Sequence, residues 1–358
     1  MKVFKIDKKD WATGIGKTRS AYHLVGPARV QDKDFSEFKA LGPDELPDMA
    51  ATDTRLSPKS IAFPPQEVLM VYTTDETSDA CNRMQEARKD YSPRAIIGIR
   101  PYDAAAFLLV KKNFDTPEYR DPYWCDAYAA CTFVGLAVNE PGSLDFSTST
   151  DSGPFDERGL DVLLVDAGDH YLAKIITDKG AAFAKAAGWV TDAGAAGEKR
   201  IAELKTAAES RIRSSIAFDN IRKQSIMALY EADFWEDVAF ACINCGTCTY
   251  VCPTCWCFDI QDETHGKSGK RMKTWDSCMY PLFTIHTTGH NPRGTKVQRV
   301  RQRFMHKLKY FLDKYEDGVM CVGCGRCIRS CPVNIDIRKV CNIMNSHSAD
   351  TEACAVKR

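Results

Sequence analysis

Neither sign of charge is in excess in this sequence: its 358 residues carry 48 basic and 48 acidic side chains. A nucleic-acid binder working by bulk charge is thereby excluded. Long apolar runs are missing too. The longest, residues 104–110, falls far short of the roughly 20 residues that a helix needs to cross a bilayer, so no direct membrane span is expected. The N-terminus, MKVFKIDKKDWATG, has no apolar stretch and no twin arginine of the kind an export signal carries. The expected location is a reducing cytoplasm. With 44% hydrophobic and 27% charged residues, the chain has an ordinary globular composition, and its length suggests two domains.

Catalytic motifs are also missing. Gly14-Ile15-Gly16-Lys17-Thr18 resembles the end of a phosphate loop, but the position five before Gly16 is Trp11 rather than glycine. There is no G-x-G-x-x-G. The seven histidines, His23, His170, His265, His286, His290, His306 and His347, form neither H-x3-H nor H-E-x-x-H. The Ser/Thr run at 147–152 contains no G-x-S-x-G elbow and reads as a polar loop. No catalytic residue is assigned.

Cysteine is scarce in one part and abundant in the other. Residues 1–241 contain Cys81, Cys125 and Cys131; residues 242–358 contain thirteen. Such density fits a secreted disulfide scaffold or a metal module, and a reducing compartment favours metal thiolates. The arrangement sharpens this. Cys242-x2-Cys245-x2-Cys248-x3-Cys252-Pro253 is followed by Cys321-x2-Cys324-x2-Cys327-x3-Cys331-Pro332. Each is the bacterial ferredoxin run for a [4Fe–4S] cluster, whose fourth cysteine serves the other cluster. Three thiolates two residues apart on a tight turn reach three corners of one cubane. The fourth leaves beside a proline. The expected sets are therefore Cys242, Cys245, Cys248 and Cys331 for cluster one, and Cys321, Cys324, Cys327 and Cys252 for cluster two. Gly246 and Gly325 occupy matching positions, where the turn must bring N–H groups close to sulfur. Zinc needs four ligands, usually in two pairs, and eight cysteines in two such runs exceed that.

Between the runs, residues 293–309 hold seven Lys/Arg and no acid. Val297, Val300, Phe304, Leu308, Phe311 or Leu312, and Tyr315 recur at spacings of three or four, which predicts an amphipathic helix packed beside the clusters. Its basic face either compensates the clusters, each carrying about −2 when oxidised, or docks an acidic partner. RNA is a third option without an aromatic platform to support it. Cys255, Cys257 and Cys278 near the first run, and Cys341 and Cys354 after the second, exceed the eight ligands. Packing explains buried free thiols; a further metal site from Cys255, Cys257 and Cys278 is the alternative.

The fold expected is α+β: an α/β N-terminal domain over 1–215, serving as scaffold and docking surface, then an all-α helical ferredoxin-type domain over 216–345 binding two [4Fe–4S] clusters, then a tail over 346–358. Residues 1–60 read as short strands and loops. Strands are expected at 67–72, 94–99 and 132–138, with a hairpin from 161–165 to 171–177. A helix at 104–112 would open after Asp103 as N-cap. Further helices are expected over 181–187, 195–216 and 221–240, the last burying Ile226, Leu229, Tyr230, Phe234 and Val238.

Several strings carry a resemblance across most of the chain: RLSPKSIAFPPQEVL (55–69), IGIRPYDAAAF (97–107), GPFDERGLDVLLVDAGDHYL (153–172), CINCGTCTYVCPTCWCFD (242–259), WDSC (275–278), GHNPR (289–293) and CVGCGRCIRSCPVNIDI (321–337). The stretch from Asp48 through Ile337 resembles the iron–sulfur subunits of hydrogenase and sulfite-reductase complexes, namely that of anaerobic sulfite reductase and the sulfhydrogenase beta subunit. The resemblance implies an electron relay in a soluble complex. One neighbour would be a flavin/NAD(P)-binding subunit. The other would be a catalytic redox subunit of hydrogenase, sulfite reductase or heterodisulfide-reductase-linked type. It implies no substrate chemistry for this chain alone. Many relatives carry N-terminal cysteines suited to a third cluster. The matching positions here are Tyr102, Val138, Gly142, Asp145 and Ser147, none a thiolate donor, so that third cluster is expected to be absent. The alternative is a redox enzyme with its own small-molecule or flavin site, built from the 147–158 loop and Arg100-Pro101-Tyr102-Asp103. A cluster-based sensor or structural binding protein is a third class.

Overall fold

The structure, a computed structural model, describes residues 2–51 and 54–347. Its strands in chain order are β1 (Val3–Asp7), β2 (His23–Arg29), β3 (Ser36–Ala40), β4 (Gln66–Thr73), β5 (Gln85–Glu86), β6 (Arg94–Ile99), β7 (Cys131–Leu136), β8 (Val162–Asp166), β9 (His170–Ile175), β10 (Phe258–His265) and β11 (Ser268–Trp275). Seven of them form a mixed sheet in the order β1-β9-β8-β7-β6-β2-β3. The centre, β2-β6-β7-β8, is parallel. The flanks β1-β9-β8 and β2-β3 are antiparallel. Parallel strands covered on both faces read as unbroken apolar runs, and β7 is buried at every residue.

Helices cover both faces. α1 (Lys8–Thr18), α2 (Pro101–Phe114), α3 (Pro122–Ala129), α4 (Asp178–Ala187) and α5 (Gly194–Glu209) belong to this part. Trp11 and Ile15 of α1 and Phe183 and Ala184 of α4 pack with Ile97, Val134 and Leu164 on one side. Phe107 and Phe114 of α2, Trp124 of α3 and Ile201 of α5 pack with Ile96, Phe133 and Leu163 on the other. The α/β reading and the hairpin β8–β9 agree with this. Two details differ. Helix α1 lies where only strands and loops were expected; Trp11, Gly14, Ile15 and Thr18 are its buried positions, a helical spacing masked by two glycines. Helix α2 starts at Pro101, after Arg100, so Asp103 is not its cap. Proline at the first helical position already presets φ and gives up an N–H that would have no partner.

The remaining helices are α6 (Asp219–Lys223), α7 (Ile226–Tyr230), α8 (Phe234–Phe240), α9 (Thr247–Tyr250), α10 (Lys296–Met305), α11 (Phe311–Tyr315), α12 (Arg326–Arg329) and α13 (Ile337–Ser346); His306–Tyr310 is a π-helical stretch joining α10 to α11. The amphipathic prediction for this run holds, since Val300, Phe304, Leu308, Phe311 and Leu312 are buried. A capping box, Thr295 with Gln298, starts it. The helix expected over 221–240 is instead three short ones. Ser225 caps α7 by accepting from the Ala228 N–H, and Trp235 Nε1 donates to the Leu229 carbonyl. Leu229 is buried, Ile226 is exposed, and Tyr230, Phe234 and Val238 are half-buried.

The region is not all-α. β10 and β11 form a hairpin within it, and β11 pairs with β4 to give a second antiparallel sheet, β10-β11-β4-β5. The alternation in this stretch is weak because β10 is mostly exposed, which leaves little apolar periodicity to read. The boundary at 215/216 is crossed in both directions: a second core running from Ile216 to Met344 takes in Phe146, and Phe311 and Met320 share the core of Phe63, Phe107 and Trp124, with Trp256, Phe258 and Trp275 packed against it. Most of the expected tail, from 348 on, and Cys354 with it, lies outside the described residues. Among those described, no helix is long and apolar enough to cross a membrane.

Candidate iron–sulfur centres

Each cysteine run ends its tight turn with a glycine and starts a short helix, α9 after Gly246 and α12 after Gly325. Both glycines are left-handed, with φ of 73° and 71°, where a side chain is strained. Space is short as well. A Cβ on Gly246 would lie 2.7 Å from Tyr280 Oη, and one on Gly325 2.6 Å from the Leu144 carbonyl oxygen. Tyrosine can swing away; backbone cannot. Gly325→Ala should therefore cost more than Gly246→Ala, each at least about 1–3 kcal/mol from the backbone alone. Thermal midpoints of the two variants check the order, and equal losses would refute it.

The turns bring cysteines of both runs together. Cys242, Cys245, Cys248 and Cys331 line one cavity, with Cys327 also in its wall beside Met279, Arg303 and Phe304. N–H groups point at sulfur here: Asn244 N lies 3.4 Å from Cys242 Sγ and Ile335 N 3.2 Å from Cys331 Sγ. Cys252 is buried in the other group. Burial pushes the Cys321 thiol up to about 12, and Lys307 opposes that while Cys252 adds to it. Cys324 is also raised by burial, with Cys252 again contributing, and so is Cys327. Cys252 itself is held well below the usual thiol range, first by the Cys255 thiol donating to it, with Lys307, Thr254 and Arg303 helping.

Buried cations surround both groups. Arg303 and Lys307 are 5% and 3% exposed. Burial works against the charge on each, and neighbouring cysteines outweigh it: Cys248 and Cys327 for Arg303, Cys252 and Cys255 for Lys307. Lys307 Nζ donates to Thr254 Oγ1 at 2.7 Å and to the Met320 carbonyl. Lys59 Nζ reaches the carbonyls of Thr249 and Cys255 and lies 4.3 Å from the Trp275 ring centroid. Arg303 Nε and Nη2 are buried with no hydrogen-bond partner. A buried charge without a partner is costly, so donors left open beside clustered thiols fit anionic [4Fe–4S] groups, whose sulfurs accept such bonds.

The basic run is thus turned inward. Arg299, Arg303, Lys307 and Lys309 are buried and Arg293, Lys296 and Arg301 are half-buried. Several neutralise carbonyl ends: Lys296 donates to Phe240, Arg301 to Tyr230, Lys309 to Ile221 and Arg222. Arg303 and Lys307 face the cysteines, as compensation requires, and with four of the seven buried the run presents no continuous basic face.

The other singled-out residues fall in three places. Cys255, Cys257 and Cys278 line a second cavity with His306; the Cys278 thiol bonded to Cys257 holds Cys257 at about 7. Cys125 and Cys131 are buried and donate to the carbonyls of Phe114 and Ala127, Cys341 is buried against Ala217, and Cys81 is half-buried. Tyr102 and Val138 pack with Val322 and Cys324, while the Asp145 carboxylate accepts from the Ser147 N–H and Gly142 accepts from Asp145. Arg100 and Asp103 are buried rather than lining an open site, Asp103 near Cys324; Asp103 forms two bonds with Arg326, at 2.5 and 2.7 Å. That pair and Lys59 escaped the sequence reading. The position of Arg326, inside the second run between Cys324 and Cys327, was the available signal.

Fold and cysteine geometry together fit an iron–sulfur protein with a ferredoxin-type domain, and residues 241–335 match the family described as a 4Fe-4S dicluster domain. Over nearly its whole length the chain is similar to the Sulfhydrogenase 2 subunit beta of Pyrococcus furiosus, 27% identical over 349 residues that cover 95% of this chain and 97% of the relative. No solved structure matches it. The chain is an iron–sulfur electron-transfer protein related to the sulfhydrogenase beta subunit, and the resemblance noted in its sequence is borne out.

Proposed function

We propose that this chain is the electron-relay subunit of a larger oxidoreductase, with a flavin/NAD(P)-binding subunit on one side and a catalytic redox subunit on the other. Cluster one is held by Cys242, Cys245, Cys248 and Cys331, cluster two by Cys321, Cys324, Cys327 and Cys252. Each bound cluster supplies a one-electron carrier. The observation that carries this reading is one cavity lined by all three leading cysteines of the first run and by the last of the second, with Cys327 in its wall. The chain's own residues hold the ligands in register and place Arg303 and Lys307 against their charge. The positions where relatives bear further cysteines, Tyr102, Val138, Gly142, Asp145 and Ser147, offer no sulfur, so no N-terminal cluster is included and that region acts as scaffold and docking surface.

Exchange with a partner is assigned to the cluster-one side. Cys245 is the exposed cysteine of the first set; Phe240 and Ile243, just before it in the chain, and Leu282 are 84%, 62% and 73% exposed. Tyr280 Oη donates to the Cys245 carbonyl, which ties the Leu282 segment to that turn. Apolar groups around an exposed redox centre suit a protein partner more than water. A Phe240→Glu/Leu282→Glu chain should keep its iron yet pass electrons to its partner subunits at least tenfold more slowly. Stopped-flow reduction of the assembled complex checks this. Unchanged rates would move the exchange face elsewhere, and absence of any electron passage in the wild-type complex would refute the relay.

A further inference from the structure

Four metal-binding side chains meet outside the two centres. Cys255, Cys257, Cys278 and His306 line one cavity of about 310 Å³. They come from three separate segments: the loop after the first run, the turn after β11, and the π-helical stretch that follows α10. We propose that they bind a third iron–sulfur cluster, with three thiolates and the His306 imidazole as ligands.

The surroundings fit an anionic sulfur-rich group. Arg293, Arg303 and Lys307 line the same cavity, with Gln302 among them. Trp256, another lining residue, has its indole Nε1 buried without a hydrogen-bond partner, as are Arg303 Nε and Nη2; Arg303 is only 5% exposed. Donors of this kind are what cluster sulfurs accept from their surroundings; Arg303 also faces Cys248 and Cys327 of the two centres, whereas the buried Trp256 indole has no other partner to offset its desolvation. A single ion suits the site less well. Zinc draws its thiolates to within about 4 Å of one another, and among the described residues no three His, Cys, Asp or Glu side chains gather closely enough for one ion. A polynuclear core bridges such gaps. Mixed Cys/His ligation is established chemistry for iron–sulfur centres and raises their potential, so a cluster here would differ electronically from its all-cysteine neighbours.

The inference extends the relay reading without depending on its ligand sets. The test is iron and acid-labile sulfide per full-length chain, prepared anaerobically, for wild type and for Cys255→Ser/Cys257→Ser/Cys278→Ser. Two cubanes account for about eight irons. The expected result is about ten to twelve in the wild type, falling to about eight in the variant, with both all-cysteine electron paramagnetic resonance signals retained. Eight in the wild type overturns the proposal whether or not the variant folds, and leaves the two-cluster relay standing. Fewer than eight would instead count against that relay. Equal iron above eight in both chains would place the extra metal elsewhere and also overturn it. His306→Cys keeps four donors; it should retain the iron and shift only the third signal, and an unshifted spectrum removes His306 from the ligand set.

Discussion

Replacing Cys331 with serine should empty the centre built on Cys242, Cys245 and Cys248, far upstream, and spare the one on its own run. The wild-type cavity lined by those four cysteines motivates this. The loss should be about four irons per chain and one of the cubane resonance signals. Cys252→Ser should remove the other signal, because Cys252 is the cysteine whose charge bears on Cys321, Cys324 and Cys327. Combination decides the matter. Added to Cys242→Ser/Cys245→Ser/Cys248→Ser, the Cys331 change should cost no further iron, since both act on one centre. Added to Cys321→Ser/Cys324→Ser/Cys327→Ser, it should remove what remains. Residues that act as a unit are non-additive, and independent ones add. If each cysteine instead serves its own run, the two combinations exchange their results.

Arg326→Met should destabilise the chain by about 3–5 kcal/mol, because Asp103 would be left buried and unpaired. The two side chains are 1% and 0% exposed, so water cannot replace the lost partner. Arg326 also donates to Thr54 through Nε, and that carbonyl loses a donor as well. Thermal unfolding of the anaerobic protein should shift down by roughly 5–10 °C. The double variant Asp103→Leu/Arg326→Met should recover most of the loss, since replacing a whole buried pair with apolar groups is often neutral. A double variant no better than Arg326→Met would show that the pair itself is not what matters. The location gives the measurement a second reading. Asp103 belongs to α2 and Arg326 to the second cysteine run, so loosening the pair should also make the cluster-two signal more sensitive to oxygen.

The cysteine turns, the central strands and the amphipathic run at 296–315 were legible because each depends on neighbours in sequence. Cysteine intervals specify a turn, and periods of two and of three to four specify faces. What could not be read depends on partners far apart. Arg326 meets Asp103 across 223 residues, and the hairpin β10–β11 exists because β4 supplies its third strand. The seven basic residues at 293–309 show the limit most plainly. Their number predicted a strong local charge, yet not its direction, because burial among cysteines and carbonyl groups is decided by tertiary packing. Helix α1 was missed for a local reason: Gly14 and Gly16 lower helical propensity, and packing of Trp11 and Ile15 against the sheet overrides it.

The pairing of β4 with β11 also sets an order of events during synthesis. β4 leaves the ribosome about 200 residues ahead of β11, and at roughly 5–20 residues per second that is a wait of about 10–40 s. Throughout it, the apolar strand Gln66–Thr73 has only the two-residue β5 at its side, and its other edge is open to pairing with a neighbouring chain. For most of that wait the first cluster cysteine, Cys242, has not yet been translated, so no iron supply can help the nascent protein then.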